Sequence, residues 1–221
     1  MKLTDLNRYQ AFGSHLLISL LIFAVILVCI TQYWYPGILF DTGNGWKAVG
    51  LIVGIDLILG PLLTLLVFNP KKSSLKFDLS VIAAVQIAAL AYGTWTIYKT
   101  HPVAIAFVHT HFITLYAHSE LGEKVMQVVN EKKTNQLYYD YDSVPDDQTL
   151  YPQGFKSYSE SRHKVLSSNK TYFHYEKNPK TLYVRVDPYM SSTRNIILNS
   201  ASGEIEGYID GIPSLAAKRQ P

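Results

Sequence analysis

The stretch Gly54-Ile55-Asp56-Leu57-Ile58-Leu59-Gly60-Pro61-Leu62-Leu63 sets an acid, two glycines and a proline inside an apolar run long enough to cross a bilayer. A carboxylate at that depth costs about 2.5–3.5 kcal/mol on insertion scales and is rare unless it faces a protein partner, so Asp56 is the first functional candidate. Two more runs of similar kind flank it. From about His15 to Tyr33, Ala48 to Phe68 and Leu79 to Tyr98 the chain has apolar stretches without Lys or Arg in their interiors. Each is roughly the 20 residues that a helix needs to span hydrocarbon. Three in succession, joined by short polar loops, predict a membrane domain over residues 1–98.

Lys and Arg in short loops are retained on the cytoplasmic side. Lys2 and Arg8 precede the first run and Lys71, Lys72 and Lys76 crowd the loop after the second, whereas the loop between the first and second carries Lys47 offset by Asp41. The expected topology is a cytoplasmic N-terminus, three crossings and residues 99–221 on the far side. In a bacterium this is an inner-membrane protein with a periplasmic C-terminal domain. Trp34, Tyr35, Trp46, Trp95 and Tyr98 then fall at the outer boundary, where aromatic rings anchor among headgroups. The first run is expected to stay uncleaved, since it is longer than a signal h-region and no small-x-small site follows it.

The chain holds one cysteine among 221 residues, so no internal disulfide is available. The net charge of +3 is too small and dispersed to suggest nucleic acid.

Residues 99–221 read as a small α+β domain with antiparallel hairpins. Ala104–Val108 and Phe112–Tyr116 form one expected hairpin around His109-Thr110-His111. Leu121, Val125, Val128 and Val129 recur at helical spacing behind Ser119, a candidate N-cap. Thr134 to about Gly154 is polar and rich in tyrosine and reads as an extended surface loop. Thr171–Tyr175 with Thr181–Val186, and Asn195–Asn199 with Glu204–Ile209, make two further hairpins. Gly203 supplies a left-handed turn position in the last one.

Glycine-rich phosphate loops, HExxH, paired CxxC and GxSxG elbows are absent from the sequence, so the common enzyme signatures fail without ruling out catalysis, and no cofactor or small-molecule substrate is expected. His109 and His111 alternate along one strand, yet histidines near a turn are more often solvated than metal-bound. Asp140, Asp142, Asp146 and Asp147 lack the spacing of a calcium loop.

Asp56 and Gln86 fall at similar depth, roughly 13 Å in at 1.5 Å per residue, so their helices can pair the two side chains, satisfying the acid or holding it protonated. His15 and Asp78 form a second expected pair near the cytoplasmic surface, serving the membrane structure. Gly60-Pro61 predicts a kink, and Gly50 with Gly54 offers a small-residue docking face. Asp56, Gly54, Gly60, Pro61 and Gln86 together outline a polar, bent groove suited to a helix. The same residues would equally serve simply to hold the bundle together.

Several stretches resemble the TfpX/TfpZ family of type IV pilin accessory proteins: Trp34-Tyr35-Pro36-Gly37-Ile38-Leu39-Phe40, the segment from Gly54 to Leu65, and Phe77-Asp78-Leu79 with Gln86 and Ala89-Leu90-Ala91-Tyr92-Gly93-Thr94. The resemblance runs from about Ala11 to Val108. This chain has His101-Pro102 where the family pattern has Arg-Pro. What the resemblance implies is a non-enzymatic inner-membrane protein that binds the major type IV pilin, and in doing so supports pilus assembly and dynamics. The pilin's apolar membrane helix would lie in the Asp56 groove. Its head would meet the exported domain, where Tyr138, Tyr139 and Tyr141 are candidate contacts, since tyrosine gives contact area at low entropic cost. Other pilus machinery and membrane lipid are further partners on this reading. The alternatives are a small transporter or enzyme using Asp56, or a membrane-anchored periplasmic sensor.

Overall fold

A computed structural model describes residues 6–145, 149–168, 176–178, 181–186 and 194–210. The chain divides into a helical unit, residues 1–36 with 44–99, and a β-rich unit, residues 37–43 with 100–221. The seven residues 37–43 between the first two apolar runs thus belong with the β-rich unit and not with the helices on either side of them.

The helical unit contains three helices long and apolar enough to cross a membrane: Arg8–Trp34, Gly45–Val67 and Leu75–Thr100. At 1.5 Å per residue they are about 35–40 Å long, enough for a hydrocarbon core of about 30 Å. The first begins at a capping box: Gln10 N–H donates to the Asn7 side chain and Asn7 N–H to the Gln10 side chain, both at 2.9 Å. It runs as α1 (Arg8–Val28) and ends in a π-helical turn, Cys29–Trp34. Leu17, Leu21 and Val25 lie exposed along it. Such continuous apolar surface suits lipid and not water. At one end of the bundle Ala11, Phe68 and Leu75 close a small buried cluster. Elsewhere Trp34 and Tyr98 pack ring to ring at 5.8 Å.

After α2 (Ile38–Thr42), the second span is α3 (Gly45–Ile52), a π-helical stretch (Val53–Leu59) and α4 (Gly60–Val67). The kink expected at Gly60-Pro61 appears as this widened stretch just upstream. Proline lacks an N–H and its ring crowds the carbonyl four residues before it, and the wider turn removes both conflicts. The third span is α5 (Leu75–Thr100).

The β-rich unit holds two four-stranded sheets. The first has strand order β2-β1-β3-β4, from β1 (Pro102–Val108), β2 (His111–Tyr116), β3 (Gln136–Tyr139) and β4 (Phe155–Ser157). β1 pairs antiparallel with β2, as the hairpin reading expects, and parallel with β3. The parallel return is made through α6 (Glu120–Lys132), whose N-cap is Ser119, accepting from Gly122 N–H at 3.0 Å. Every residue of β1 is buried, because each face of the strand has its own cover. Ala104 and Ala106 join Val125 of α6 in one core, while Ile105 and Phe107 join Val184, Ile196 and Leu198 in the other.

The second sheet is an antiparallel meander of β5 (Glu176–Asn178), β6 (Thr181–Arg185), β7 (Arg194–Asn199) and β8 (Ile205–Asp210). The β7–β8 hairpin matches expectation, with Gly203 at φ 69° in the left-handed region. The strand expected at Thr171–Tyr175 lies outside the described residues, as do Asp146 and Asp147.

One expectation is corrected here. The stretch 134–154 is no continuous surface loop, since β3 runs inside it, with Leu137 and Tyr139 fully buried. In addition, α7 (Tyr158–Ser168) has no counterpart in the sequence reading. It buries Tyr158, Ser161 and Val165, a stripe with a polar residue at its centre that leaves little apolar periodicity to detect.

The segment 37–43 is built into this unit. Leu39 of α2 is 1% exposed and belongs to the core formed by Ile105, Phe107, Phe112 and Tyr158. Arg194 donates to the Thr42 carbonyl at 2.8 Å. A Cβ on Gly43 would press into the Pro102 ring, so glycine permits that close approach.

Candidate functional site

In the helical unit the polar side chains converge on one point. Asp56 lies in the π-helical stretch and is 2% exposed. Gln86 Nε2 from α5 donates to Asp56 Oδ1 at 2.5 Å and approaches the Asp56 main-chain oxygen at 3.2 Å. Ser19 of α1 adds a longer hydroxyl contact to Oδ1 at 3.4 Å. On its other side Gln86 Oε1 accepts from His15 Nε2 at 2.9 Å, and His15 Nδ1 meets Thr64 Oγ1 at 2.6 Å. Because the Gln86 amide nitrogen is committed to Asp56, its oxygen must be the acceptor, which places a proton on His15 Nε2. One chain of hydrogen bonds, Thr64–His15–Gln86–Asp56, therefore ties all three spans together.

The backbone explains how Asp56 has two oxygens to offer. In the π register the Gly60 N–H bonds to Ile55 O, five residues back, and so leaves the Asp56 carbonyl. The donor that the same register would bring to Asp56 is the N–H of residue 61, and Pro61 has none. Gln86 takes that position. Gly60 makes room, since a Cβ there would overlap the Gln86 amide.

Three of the expected groove residues, Asp56, Gly60 and Gln86, thus meet directly, and Pro61 acts through the backbone. Gly54 does not join them: a Cβ on it would touch nothing within 4 Å. The expected pairing of His15 with Asp78 is replaced by two others. Asp78 binds Lys72 at 2.5 Å, with Ser74 at 3.3 Å, while His15 turns to Gln86 and Thr64. The lysine is nearer in sequence and fully charged, so it is the stronger partner for a carboxylate. Ser19 and Thr64 went unread in the sequence. Their signal is spacing: His15 and Ser19, and Asp56, Gly60 and Thr64, recur at intervals of four, one face of each helix.

One side of this cluster opens on a cleft of about 340 Å³, floored by His15, Asp56 and Gln86 and walled by Ile18, Ile22 and Ile87. Asp56 Oδ2 is buried and has no hydrogen-bond partner among the described residues.

The tyrosines of the β-rich unit differ in availability. Tyr139 is 1% exposed, with its ring edge-on to Phe155 and its hydroxyl accepting from Tyr151 N–H at 2.9 Å, and so is a core residue and not a surface contact. Tyr138 stacks on Phe107 at 6.2 Å and lies beneath the Lys164 ammonium at 5.8 Å. Tyr141 meets the His109 ring, and burial pushes its hydroxyl pKa up to about 12. His109 itself sits in the hairpin turn at φ 55°. Among the described residues no group of three or more His, Cys, Asp or Glu side chains is arranged to hold a metal.

Comparison with known proteins finds relatives over less than half of the chain. Over 97 residues, 43% of this chain, it is 38% identical to the fimbrial assembly protein of serogroups C1 and C2 of Dichelobacter nodosus, covering 74% of that protein. The chain belongs to the fimbrial assembly protein family. The family's serogroup I and E1 members from the same organism are 38% and 36% identical over 97 residues, and the match spans 38% of the length of each. No family model matches the chain. No solved structure matches it.

Proposed function

We propose that this chain is an inner-membrane accessory factor of the TfpX/TfpZ kind. On this reading it binds the major type IV pilin before polymerisation and supports pilus extension and retraction without catalysing a reaction. The observation that carries the reading is the buried Asp56 with its partners Gln86 and His15 at the floor of an apolar cleft, in a chain whose relatives are named for fimbrial assembly. Bundle packing alone accounts for a buried acid; it does not account for one that borders an open cleft. The N-terminus is cytoplasmic and the β-rich unit periplasmic, following the lysines around residue 72. There the partly buried Tyr138 and Tyr141 are the candidate contacts for the pilin head.

The test is a deletion strain complemented with tagged protein. Surface pili should fall sharply in the deletion and return on complementation, and the major pilin should copurify with the tagged protein in mild detergent. Normal piliation in the deletion strain would remove the reading.

A further inference from the structure

We infer that the occupant of the cleft is a single membrane-spanning helix carrying one side-chain hydrogen-bond donor at the depth of Asp56, that it enters between the first and third spans, and that Asp56 Oδ2 accepts from it. The inference rests on the pilin-binding reading above and specifies the docking face and its chemistry.

The groove has the dimensions of a helix. The cleft above Asp56 continues into a second hollow lined by Ile26, Trp34, Thr94 and Tyr98, and the two share Ile87 and Leu90. Together they run along α5 from Leu79 to Tyr98, about 29 Å at 1.5 Å per residue, close to the thickness of a hydrocarbon core. Ile18, Ile22 and Ile87 stand exposed along its walls.

Apolar walls by themselves admit acyl chains as readily as a helix. The floor discriminates. Gln86 and Ser19 both address Oδ1 of Asp56, and Oδ2 has no donor among the described residues although it is buried. An acid oxygen buried in a low-dielectric setting without a donor is strongly unfavourable, and lipid tails offer no donor. Thr94 Oγ1, in the second hollow, is likewise buried and has no partner among the described residues. Two unmet polar atoms along one spanning groove call for a helix with polar side chains at matching heights. The Gly50 and Gly54 face carries no such group, and a Cβ on either glycine would meet nothing within 4 Å.

The experiment is photo-crosslinking in living cells from residue 87, in the groove, and from residue 66, an exposed position outside it, in wild type, Asp56→Leu and Asp56→Asn. Asparagine can keep its oxygen on Gln86, which turns an N–H₂ donor toward the cleft in place of an acceptor. Wild type should yield a pilin adduct from position 87 and none from 66. Both variants, at normal membrane abundance, should lose it by about tenfold or more, the size of one charge-assisted hydrogen bond. Undiminished adducts in both variants would overturn the inference and leave pilin binding standing. Retention in Asp56→Asn with loss in Asp56→Leu would also overturn it, because the acid would then be donating. Adducts from position 87 to lipid or to a second copy alone, with no pilin captured, would overturn the pilin-binding reading and this inference with it.

Discussion

Pro61 lies five residues after Asp56, and the N–H it lacks is the one that a π-helical register would direct at the Asp56 carbonyl. The vacancy is filled from another helix, by Gln86 Nε2 at 3.2 Å. A proline that would ordinarily be read as a kink serves here to hand a backbone acceptor to a neighbouring span.

Gly60 and Gln86 should be energetically coupled. Gly60→Ala puts a Cβ into the Gln86 amide and is expected to destabilise the helical unit by about 1–3 kcal/mol, the usual range for overpacking. In Gln86→Ala the same glycine change should cost far less. A double-mutant cycle by thermal unfolding in detergent reads the difference, and additive effects would contradict the contact.

Stability and function should separate at the Asp56–Gln86 pair. Gln86→Leu strips the buried acid of its closest donor and should destabilise by about 1–3 kcal/mol. Adding Asp56→Leu removes the stranded polar group, so the double variant should regain most of that loss while piliation stays impaired. Recovery of pili in the double variant would reduce the pair to packing.

Leu39 should matter to a unit that lies mostly far from it in sequence. Leu39→Ala is expected to destabilise the β-rich unit by about 2–5 kcal/mol, as buried Leu-to-Ala changes do. Residues 100–221 expressed alone should be more protease-sensitive than the same segment within the full chain. Equal sensitivity would mean that the 37–43 segment is dispensable.

Topology can be read with reporter fusions. Alkaline phosphatase placed after Pro221 should be active and after Lys72 inactive on the proposed topology, since lysines in short loops are retained on the cytoplasmic side. The reverse pattern would move the β-rich unit to the cytoplasm and end any contact with a pilin head.

Alkali should unfold the β-rich unit through its tyrosines. Burial raises the Tyr141 hydroxyl from 10.0 to about 12 and raises Tyr158 as well. A folded-state pKa above the unfolded one means that the stabilisation is complete below pH 10 and disappears as pH climbs through the folded value. Ultraviolet titration should therefore show these two ionising late and together with loss of structure. Tyr158→Phe, which forgoes the hydroxyl's 2.9 Å bond to the Gly203 carbonyl, should shrink that late phase.

Sequence alone determined the features whose signal is local. Uninterrupted apolar length marks the three spans, Ser119 and the valines behind it mark α6, and Gly203 marks the turn of the last hairpin. The Asp56–Gln86 contact was also legible, because depth along a spanning helix can be counted. Tertiary structure decided what depends on which faces meet. His15 chose Gln86 and Thr64 over Asp78 because Asp78 already had Lys72 close by in the chain. Tyr139 went into the core since β3 inserts beside β1, a pairing between distant segments that a polar local composition conceals. Leu39, in seven residues between two spans, has no periodicity to betray its role. Its place in the β-rich core follows only from the apolar surface that the two sheets leave for it to cover.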